Sequence, residues 1–225
     1  MRTTLIIPAL NEAEVIGTVL ARVPDHILDE VIVVDNGSTD GTAEVAVKAG
    51  ARVITEPRRG YGAACGAGVS ALDPTTEIAV FLDGDGSQHP EELSRVLAPI
   101  LAGEADLVLG VRQLSGHHPA HAALGTRLVA AFISWRYGRR ITDIGPFRAI
   151  RVELLYRLGM RDRAFGWPVE MVVKAAALGA RIVEVPVSHA ARLRGSSKVS
   201  GTLIGSIRAG YGFLRATLRA AGEVR

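Results

Sequence analysis

The chain has one cysteine, no long apolar run and little net charge, and each shortage excludes a class of protein. With Cys65 alone among 225 residues, no internal disulfide can form, so the sequence fits a reducing compartment. No window of about eighteen uncharged apolar residues occurs, so no membrane-spanning helix is predicted. Pro8, Asn11 and Glu12 interrupt the first apolar stretch, which therefore does not resemble a signal peptide. We predict a cytoplasmic protein, either free or peripheral at the inner face of the membrane.

The formal net charge of +3 is too small to predict a nucleic-acid partner. The charges are unevenly distributed, because arginine is concentrated after residue 110 and the acidic residues lie mostly before it. This asymmetry suits a bound cation on one side and an anionic partner on the other. The length and the absence of repeats or low-complexity linkers predict one compact domain.

Short β-branched runs alternate with longer helical patterns along most of the chain. The predicted strands are residues 3–8, 30–35, 51–55, 77–83, 105–110 and 181–187, with a short extended piece at 145–150. The predicted helices are residues 13–23, 42–50, 62–72, 90–103, 123–138 and 168–180, followed by an amphipathic stretch at 203–219. Continuous apolar strands separated by helices predict an α/β fold with a mostly parallel sheet and helices on both faces.

Polar residues follow several of these strands directly. Asn11, Asp35, Asp83 and Asp85 all fall at carboxyl ends of strands, where ligands bind in such sheets. Asp83 and Asp85 flank Gly84 and could hold Mg²⁺ or Mn²⁺ through their oxygens. The alternative is a turn whose aspartates cap the helix that starts at Pro90.

Two glycine-containing segments have both a structural and a functional interpretation. In "VDNGSTDGT" (34–42), Asp35 could accept hydrogen bonds from a base or a ribose. The alternative for this segment is a turn in which Asp40 or Thr39 caps the next helix. The glycine spacing in "RRGYGAACGAG" (58–68) does not match a dinucleotide fingerprint. Its small residues favour close helix packing or the approach of backbone amides to a ligand.

The neighbours of several single residues in the sequence predict their roles. Cys65 lies among Ala and Gly and is predicted to be a core residue, and Trp135 and Trp167 are predicted to pack. A loop is predicted around His117, His118 and His121. Basic residues fall at element ends or in loops: Arg112, Arg127, Arg148, Arg192, Arg194 and Lys198. Each alone is typical of a solvated surface, but convergence on the acidic edge would indicate phosphate recognition.

Eight short motifs occur in an order that resembles glycosyltransferase family 2. They are "IIPALNEAEVI", "VIVVDNGSTDGT", "FLDGDGSQHP", "LVLGVR", "TDIGPFRAIR", "GWPVEMVVKA", "VEVPV" and "GSSKVSG". Within that family the chain is most similar to polyprenyl-phosphate or dolichyl-phosphate hexose synthases, from about residue 3 to residue 205. The resemblance implies one GT-A domain, with a nucleotide-sugar half (1–112), an acceptor half (113–202) and a C-terminal amphipathic helix (203–225).

The resemblance also implies roles for individual residues. It assigns the nucleotide-sugar pocket to Pro8, Asn11, Glu12, Asp35 and Gly37. It places Asp83 near the ribose or the sugar, and it makes Asp85 a catalytic residue that holds the metal, with Gln88 as a second ligand. Arg112 would face the acceptor phosphate, joined by Arg127 and Lys198, and Asp143 would act as a catalytic residue near the acceptor. Arg148 is a further candidate substrate-binding residue.

The implied reaction is an inverting, metal-dependent transfer of a hexose from GDP-mannose or UDP-glucose to a polyprenyl phosphate. Two features depart from the family pattern: Pro146 stands where many relatives carry Ser or Gly, and the transmembrane hairpins of some relatives are absent. A small hydroxyl acceptor is the alternative, and it would require a base, for which Asp143 is the first candidate. A nucleotidyltransferase and a non-catalytic nucleotide-sugar-binding protein are further alternatives, but the presence of both Asp85 and Asp143 favours an enzyme.

Two basic amphipathic segments, residues 127–140 and 203–219, could contact other molecules. They could lie on an anionic membrane surface, next to a lipid-phosphate acceptor. The alternatives are packing on the core and an interface between two copies of the chain.

Overall fold

The structure is a computed structural model that describes residues 1–114 and 120–193, without the side chains of residues 114–128. A seven-stranded sheet runs through this part of the chain in the order β3-β2-β1-β4-β6-β5-β7. The strands are β1 Thr3–Ala9, β2 Glu30–Asp35, β3 Arg52–Thr55, β4 Ile78–Phe81, β5 Leu107–Leu114, β6 Arg148–Arg151 and β7 Ile182–His189. Only β6 pairs antiparallel with its neighbours, so the prediction of a mostly parallel sheet is confirmed.

Helices cover both faces of the sheet, as predicted. They are α1 Ala13–Ala21, α2 Thr42–Lys48, α3 Tyr61–Ser70, α4 Leu93–Leu101, α5 Ala120–Tyr137, α6 Val152–Leu158 and α7 Trp167–Ala177. A 3₁₀ turn at Pro90–Glu92 precedes α4. Helix α6, which begins directly after β6 and ends at the left-handed Gly159, is not predicted from the sequence. No helix within the described residues is long and apolar enough to cross a membrane.

Adjacent residues of β1 enter two separate hydrophobic clusters, which explains the unbroken apolar run. Ile6 packs in a cluster with residues of α3 and α7, whereas Leu5 and Ile7 pack in another with residues of α1 and α4. All three side chains are fully buried. Burying both faces in this way requires apolar residues at every position of the strand.

The register of the parallel strands brings their carboxyl ends to one edge of the sheet. Ala9 pairs with Asp35, and Ile6 pairs with Phe81, so the polar residues that follow these strands leave the sheet together. β5 continues past the predicted end at Gly110, because it pairs with β7 as far as Leu114 and His189. Arg112 is therefore held on a strand at this edge.

Helix α3 lies unusually close to the loop before α7. Added Cβ atoms at Gly60 and Gly62 would lie 2.2 Å and 2.3 Å from the carbonyl oxygens of Arg163 and Asp162. The N–H of Gly62 donates to the carbonyl of Ala164 at 3.0 Å. The glycine-rich segment therefore serves close packing, which was one of its two interpretations.

Candidate active site

Asp83 and Asp85 form a tight turn directly after β4. The N–H of Asp83 donates to Gln88 Oε1 at 3.1 Å, and Asp85 Oδ1 accepts from the N–H of Ser87 at 2.9 Å. The 3₁₀ turn at Pro90 has no side-chain cap, so neither aspartate caps it and the capping alternative is wrong. Asp83 Oδ1 is buried and has no hydrogen-bond partner within the described residues. The Oδ1 atom of Asp83 therefore remains available as an acceptor within the turn.

The charge of Asp85 affects the neighbouring carboxyl group of Asp83. Burial, followed by the negative charge of Asp85, raises the pKa of Asp83 from its ordinary value to about 7, against the opposing charge of Arg148. Removing the like-charge repulsion requires either a proton or a cation. The turn therefore has the electrostatic character of a cation site.

An arginine already supplies positive charge at this turn. Arg192, which follows β7, contacts Glu12 Oε1 with one guanidinium nitrogen and lies 3.2 Å from Asp85 Oδ2 with another. The backbone of the same segment crosses the turn, since the N–H of Ala190 donates to the carbonyl of Ser87 at 2.9 Å. The sequence indicated Arg192 only as one of several basic residues. The structure makes it a direct neighbour of the candidate metal ligand.

The donor atoms at the turn fit Mg²⁺ or Mn²⁺ better than a cation that needs a full set of protein ligands. No group of three or more His, Cys, Asp or Glu residues within the described ranges could hold a metal. Hard cations held by one or two carboxylates usually complete their shell with water and phosphate oxygens. Metal binding by Gln88 stays a prediction: its side chain is 1% exposed, and its amide oxygen accepts from the backbone of Asp83.

The residues predicted for the nucleoside pocket meet at the adjoining part of this edge. Asn11 Oδ1 accepts from the N–H of Thr39, and Asp35 Oδ1 accepts from the N–H of Ser38, at 2.9 and 3.1 Å. The N–H of Asn11 donates to Ser38 Oγ at 2.9 Å. Pro8 and Gly37 lie in β1 and in the loop after β2. Hydrogen bonds between the β1 and β2 loops therefore shape this region, and its use as a pocket stays a prediction.

Asp40 supports the starts of two helices. It accepts hydrogen bonds from the N–H groups of Ala13 and Thr42 at 3.0 and 3.1 Å. Burial raises the pKa of Asp40, but these bonds and the Thr42 hydroxyl hold it below its ordinary value. The alternative in which Asp40 or Thr39 caps α2 is wrong, because Gly41 occupies the cap position and has no side-chain cap bond. Asp40 acts from the preceding turn, where it accepts from the N–H of the first residue of the helix.

Asn36 is a site residue that sequence reasoning did not single out. Its Nδ2 donates to the carbonyls of Glu56 and Arg58, and its Oδ1 accepts from the N–H of Gly60. These bonds hold the loop between β3 and α3 against the carboxyl end of β2. The available signal was an amide residue directly after a strand-end aspartate, a position that suits loop bonding.

Arg112 and Asp143 form a bidentate ion pair beside the turn. Arg112 Nε and one terminal nitrogen donate to the two carboxylate oxygens at 2.8 and 2.7 Å, and the N–H of Arg112 adds a third bond at 3.1 Å. Burial raises the pKa of Asp143, but Arg112 holds it below its ordinary value. Burial lowers the pKa of Arg112, but the hydrogen bonds and charge of Asp143 raise it above its ordinary value. The charge of Asp83 adds to this rise, so the pair lies within electrostatic reach of the turn.

Arg148 lies beneath the edge rather than on it. Its side chain is fully buried, donates to the Tyr61 hydroxyl at 3.1 Å, and places its guanidinium 5.4 Å from the centre of the Phe81 ring. Direct contact with a substrate stays a prediction for this residue. Cys65 is buried nearby, and burial raises its pKa to about 12, so its assignment to the core is confirmed.

Some predicted residues fall outside what the structure describes, and one aromatic prediction is wrong. The side chains of Arg127 and His121, and all of His117, His118, Arg194, Lys198 and residues 203–219, lie outside the described part. Trp167 is 2% exposed, which confirms its packing role. Trp135 is 79% exposed because it lies on the outer face of α5. Helical periodicity alone does not say which face of a helix the rest of the fold will cover.

Comparison with known proteins places this geometry in context. The family described as Glycosyl transferase family 2 matches residues 4–162. An uncharacterized glycosyltransferase of Mycobacterium tuberculosis is 45% identical over 206 residues, covering 91% of this chain and 92% of the relative. An undecaprenyl-phosphate mannosyltransferase of Micrococcus luteus is 33% identical over 228 residues, covering 91% of this chain and 90% of the relative.

A similar solved structure is glucosyl-3-phosphoglycerate synthase of Mycobacterium tuberculosis in complex with Mn²⁺, UDP-glucose and phosphoglyceric acid. Its TM-score is 0.81 at 25% identity, over 98% of this chain and 80% of that protein.

Proposed function

The chain belongs to glycosyltransferase family 2, and from this premise we propose that it transfers a hexose from a nucleotide sugar to a polyprenyl phosphate with inversion. GDP-mannose and UDP-glucose are the two proposed donors. The first is suggested by the similarity to a mannosyltransferase, and the second by the similarity to a synthase that binds UDP-glucose. Family membership also favours an enzyme over the nucleotidyltransferase and the non-catalytic binding protein.

The proposed donor site is the turn at Asp83 and Asp85 together with the loops after β1 and β2. Asp85 would hold Mg²⁺ or Mn²⁺, which when bound would offset the charge that develops on the leaving diphosphate. Arg192 lies against Asp85 and could contribute a second positive charge to the same leaving group. Asp35 and Asn11 would bind the nucleoside, because their oxygens lie at the neighbouring strand ends.

The observation that carries the choice of acceptor is the state of Asp143. Both of its oxygens are bound by Arg112, and its pKa lies below the ordinary value, so it is a poor proton acceptor near neutral pH. A hydroxyl acceptor would need a base to remove its proton, whereas a phosphate acceptor is already ionised. We therefore assign Asp143 the role of orienting Arg112 towards an acceptor phosphate.

A small phosphorylated hydroxyl compound is the second candidate acceptor. It is suggested by the phosphoglyceric acid bound in the similar synthase structure. Arg112 could bind the phosphate of either acceptor. The two candidates differ in the reacting atom, which is a phosphate oxygen in the first and a hydroxyl oxygen in the second.

We propose that the end of α5 lies on an anionic membrane surface that carries the lipid acceptor. Trp135 is largely exposed and is followed by the exposed Arg136 and Arg140. No Asp or Glu occurs between Asp106 and Asp143, so this segment carries no compensating negative charge. An exposed tryptophan flanked by arginines suits a lipid headgroup region.

Calorimetric titration with GDP-mannose, UDP-glucose and their nucleoside diphosphates, with and without Mn²⁺, tests the donor. We expect one nucleotide sugar to bind in a metal-dependent manner. Asp85→Ala should weaken that binding by about 100-fold, which corresponds to about 2.7 kcal/mol. Glu104 is an exposed carboxylate between α4 and β5, so Glu104→Ala is the control and should bind the nucleotide sugar normally. Equal donor affinity in Asp85→Ala would remove Asp85 from the metal site.

Transfer of labelled sugar to three acceptors tests the other half of the reaction. The acceptors are a polyprenyl phosphate, the corresponding polyprenol, and phosphoglyceric acid. Product with the polyprenyl phosphate alone would support the proposal. Product with phosphoglyceric acid instead would establish the second candidate.

A further inference from the structure

Glu184 binds the loop between α5 and β6 from a neighbouring strand. It lies on β7, the edge strand of the sheet, and its carboxylate accepts three hydrogen bonds from two consecutive loop residues. Oε1 accepts from the N–H of Thr142 at 2.6 Å and from the N–H of Asp143 at 3.2 Å, and Oε2 accepts from the Thr142 hydroxyl at 2.9 Å. Hydrogen bonds from N–H and O–H groups to an ionised carboxylate are stronger than those to a neutral acceptor.

The position of Glu184 on β7 is otherwise suited to an apolar side chain. Leu109 of β5 lies opposite it in the parallel register and is fully buried. Ile182, two residues earlier on the same face of β7, packs against the same hydrophobic cluster as Leu109. Glutamate is depleted in strands, whereas a β-branched residue here would extend the apolar face. The carboxylate is therefore explained by its bonds to the loop rather than by packing.

The loop that Glu184 holds carries the partner of Arg112. The N–H of Asp143 is bound by Glu184, while the two carboxylate oxygens of Asp143 accept from Arg112 Nε and Nη2. Oδ1 also accepts from the N–H of Ile144 at 2.8 Å, which limits rotation of the side chain. A shift of the Asp143 backbone would therefore move the carboxylate and, with it, the guanidinium of Arg112.

Glu184 holds the loop between two other points of attachment. Before it, the N–H of Ile141 donates to Ser134 Oγ of α5 at 3.0 Å. After it, the carbonyl of Phe147 accepts from the N–H of Gly110 in β5 at 2.8 Å. Neither contact acts on the backbone N–H groups of the two residues that Glu184 binds. The strand carboxylate is thus the side chain that fixes this part of the loop.

We propose that Glu184 is a positioning residue, which holds the backbone of Thr142 and Asp143 so that Asp143 presents Arg112 to the acceptor phosphate. The reference to the acceptor rests on the proposed function, whereas the series of hydrogen bonds from Glu184 through Asp143 to Arg112 does not. Glu184 acts through Asp143 and does not itself touch the substrate.

Hydrogen exchange at Arg112 Nε–H, followed by NMR in protein without metal or substrate, tests the link independently of activity. Arg112→Lys identifies the resonance by removing it. We expect Glu184→Ala to accelerate this exchange about tenfold or more, because the carboxylate that binds Nε–H is no longer held in place. Glu184→Gln should stay close to the unmodified protein, since its amide oxygen can accept both N–H bonds and its amide nitrogen can donate to the Thr142 hydroxyl. Unchanged exchange in Glu184→Ala would overturn the proposal.

Asp106→Ala is the matched control for a general loss of stability. Asp106 also binds a backbone N–H next to β7, that of Arg181 at 2.9 Å, but at the opposite ends of β5 and β7. We expect this variant to unfold at a lower urea concentration and to leave the exchange of Arg112 Nε–H unchanged. An equal acceleration in Asp106→Ala would show that the exchange follows overall stability and would overturn the specific role of Glu184.

Transfer kinetics with Mn²⁺, a nucleotide sugar and a polyprenyl phosphate test the positioning role. We expect Glu184→Ala to raise KM for the polyprenyl phosphate about tenfold with little change in KM for the nucleotide sugar, and Glu184→Gln to restore most of the loss. An unchanged KM for the acceptor, or an equal rise in both KM values, would overturn the role. If Glu184→Ala does not fold, Glu184→Asp provides the same test, because its side chain is one methylene shorter and cannot reach both loop residues. Absence of transfer to the polyprenyl phosphate by the unmodified protein would instead count against the proposed function, while the exchange measurement would still decide whether Glu184 acts on Arg112.

Discussion

At the scale of single residues, the ion pair between Arg112 and Asp143 shows how a partner changes the chemistry of a side chain. Asp143 is a candidate base when the sequence is considered alone, because it lies in "TDIGPFRAIR", the motif that the family resemblance places near the acceptor. In the structure, Arg112 occupies both of its oxygens. The same carboxylate is then suited to orienting a cation rather than to accepting a proton.

Asp143→Asn should reduce stability in a pH-dependent manner. Because the folded pKa of Asp143 lies below its ordinary value of 3.8, the ion pair contributes stability above that value and loses it as the pH falls through the folded pKa. Near pH 7 we expect the variant to be less stable by about 2 kcal/mol. Urea unfolding at a series of pH values from about 7 to about 2.5 measures the difference, which should shrink on the acid side.

Asp25→Asn provides the matched control, because Asp25 is exposed. Its effect should be small at every pH. A difference for Asp143→Asn that stays constant from neutral to acidic pH would contradict the ion-pair explanation.

The limits of sequence reasoning at this scale are visible in Gln88 and Asn36. Both are amide residues near strand ends, and the sequence does not reveal which of them faces a ligand. The structure directs the Gln88 oxygen to the backbone of Asp83 and uses Asn36 to fasten a neighbouring loop. Hydrogen-bond partners that are distant in the chain decide these roles.

At the scale of elements, glycines at the start of helix α3 allow its backbone to lie close to the loop before α7. The loop that Gly60 and Gly62 contact is itself held in place: Glu170 accepts from the N–H of Asp162 at 2.7 Å. Because Glu170 belongs to α7, this bond ties the loop to the helix. Glu170 also forms a buried ion pair with Lys174 of the same helix at 2.7 Å. The backbone opposite Gly62 therefore has little freedom to move away.

Gly62→Ala should destabilise the protein even though alanine favours helices. The added Cβ would lie 2.3 Å from the carbonyl oxygen of Asp162. Overpacking of this kind costs about 1–3 kcal/mol, which exceeds the gain of about 1 kcal/mol from helix propensity. Thermal and urea unfolding measure the balance. Ser70→Ala at the exposed end of α3 is the control, and an increase in stability for Gly62→Ala would show that the loop can move.

The sequence predicts the elements that have a strong apolar periodicity. It does not fully predict the short strand β6, which runs antiparallel to its neighbours, or the helix α6 that follows it. The parallel strands follow from continuous apolar runs, and most helices follow from helical patterns of apolar residues. β6 was predicted only as an extended piece, and α6 was missed, because each is a short segment whose structure depends on neighbours. β6 is a strand because β4 and β5 lie on either side of it.

At the scale of the whole molecule, the acidic residues of the candidate site and the exposed basic residues occupy two different regions. The carboxylates lie at the end of the parallel strands, whereas the exposed aromatic and basic residues lie at the end of α5. Arg112 and Asp143 lie on the strand before α5 and in the loop after it. On the proposed function, this arrangement would allow a lipid phosphate to approach Arg112 from a membrane surface.

Trp135→Ala, combined with Arg136→Ala and Arg140→Ala, should weaken binding to anionic vesicles. Each arginine near such a surface contributes about 1 kcal/mol, and the contribution falls as salt is raised. Flotation with vesicles that contain phosphatidylserine measures the effect, with neutral vesicles for comparison. Tyr156→Ala is the control because Tyr156 is also an exposed aromatic residue.

Unchanged flotation of the triple variant would show that α5 does not contact the membrane. Sedimentation of the same variant tests the alternative of a homodimer. If α5 forms the dimer interface, the sedimenting mass of the triple variant should change and its flotation should not. Flotation of a chain that lacks residues 203–225 reports separately on the C-terminal segment.

The sequence by itself determined the alternation of strands and helices, the edge at which the polar residues emerge and the family to which the chain belongs. These follow from local patterns, namely apolar periodicity, strand-end aspartates and ordered motifs, which do not depend on distant contacts. The tertiary structure alone decided that Arg148 is fully buried against Phe81, that Arg192 lies against Asp85, and that Asp143 is bound by Arg112. Each of these depends on residues far apart in the chain, and the charge, exposure and pKa of a side chain depend on the neighbours that folding brings to it.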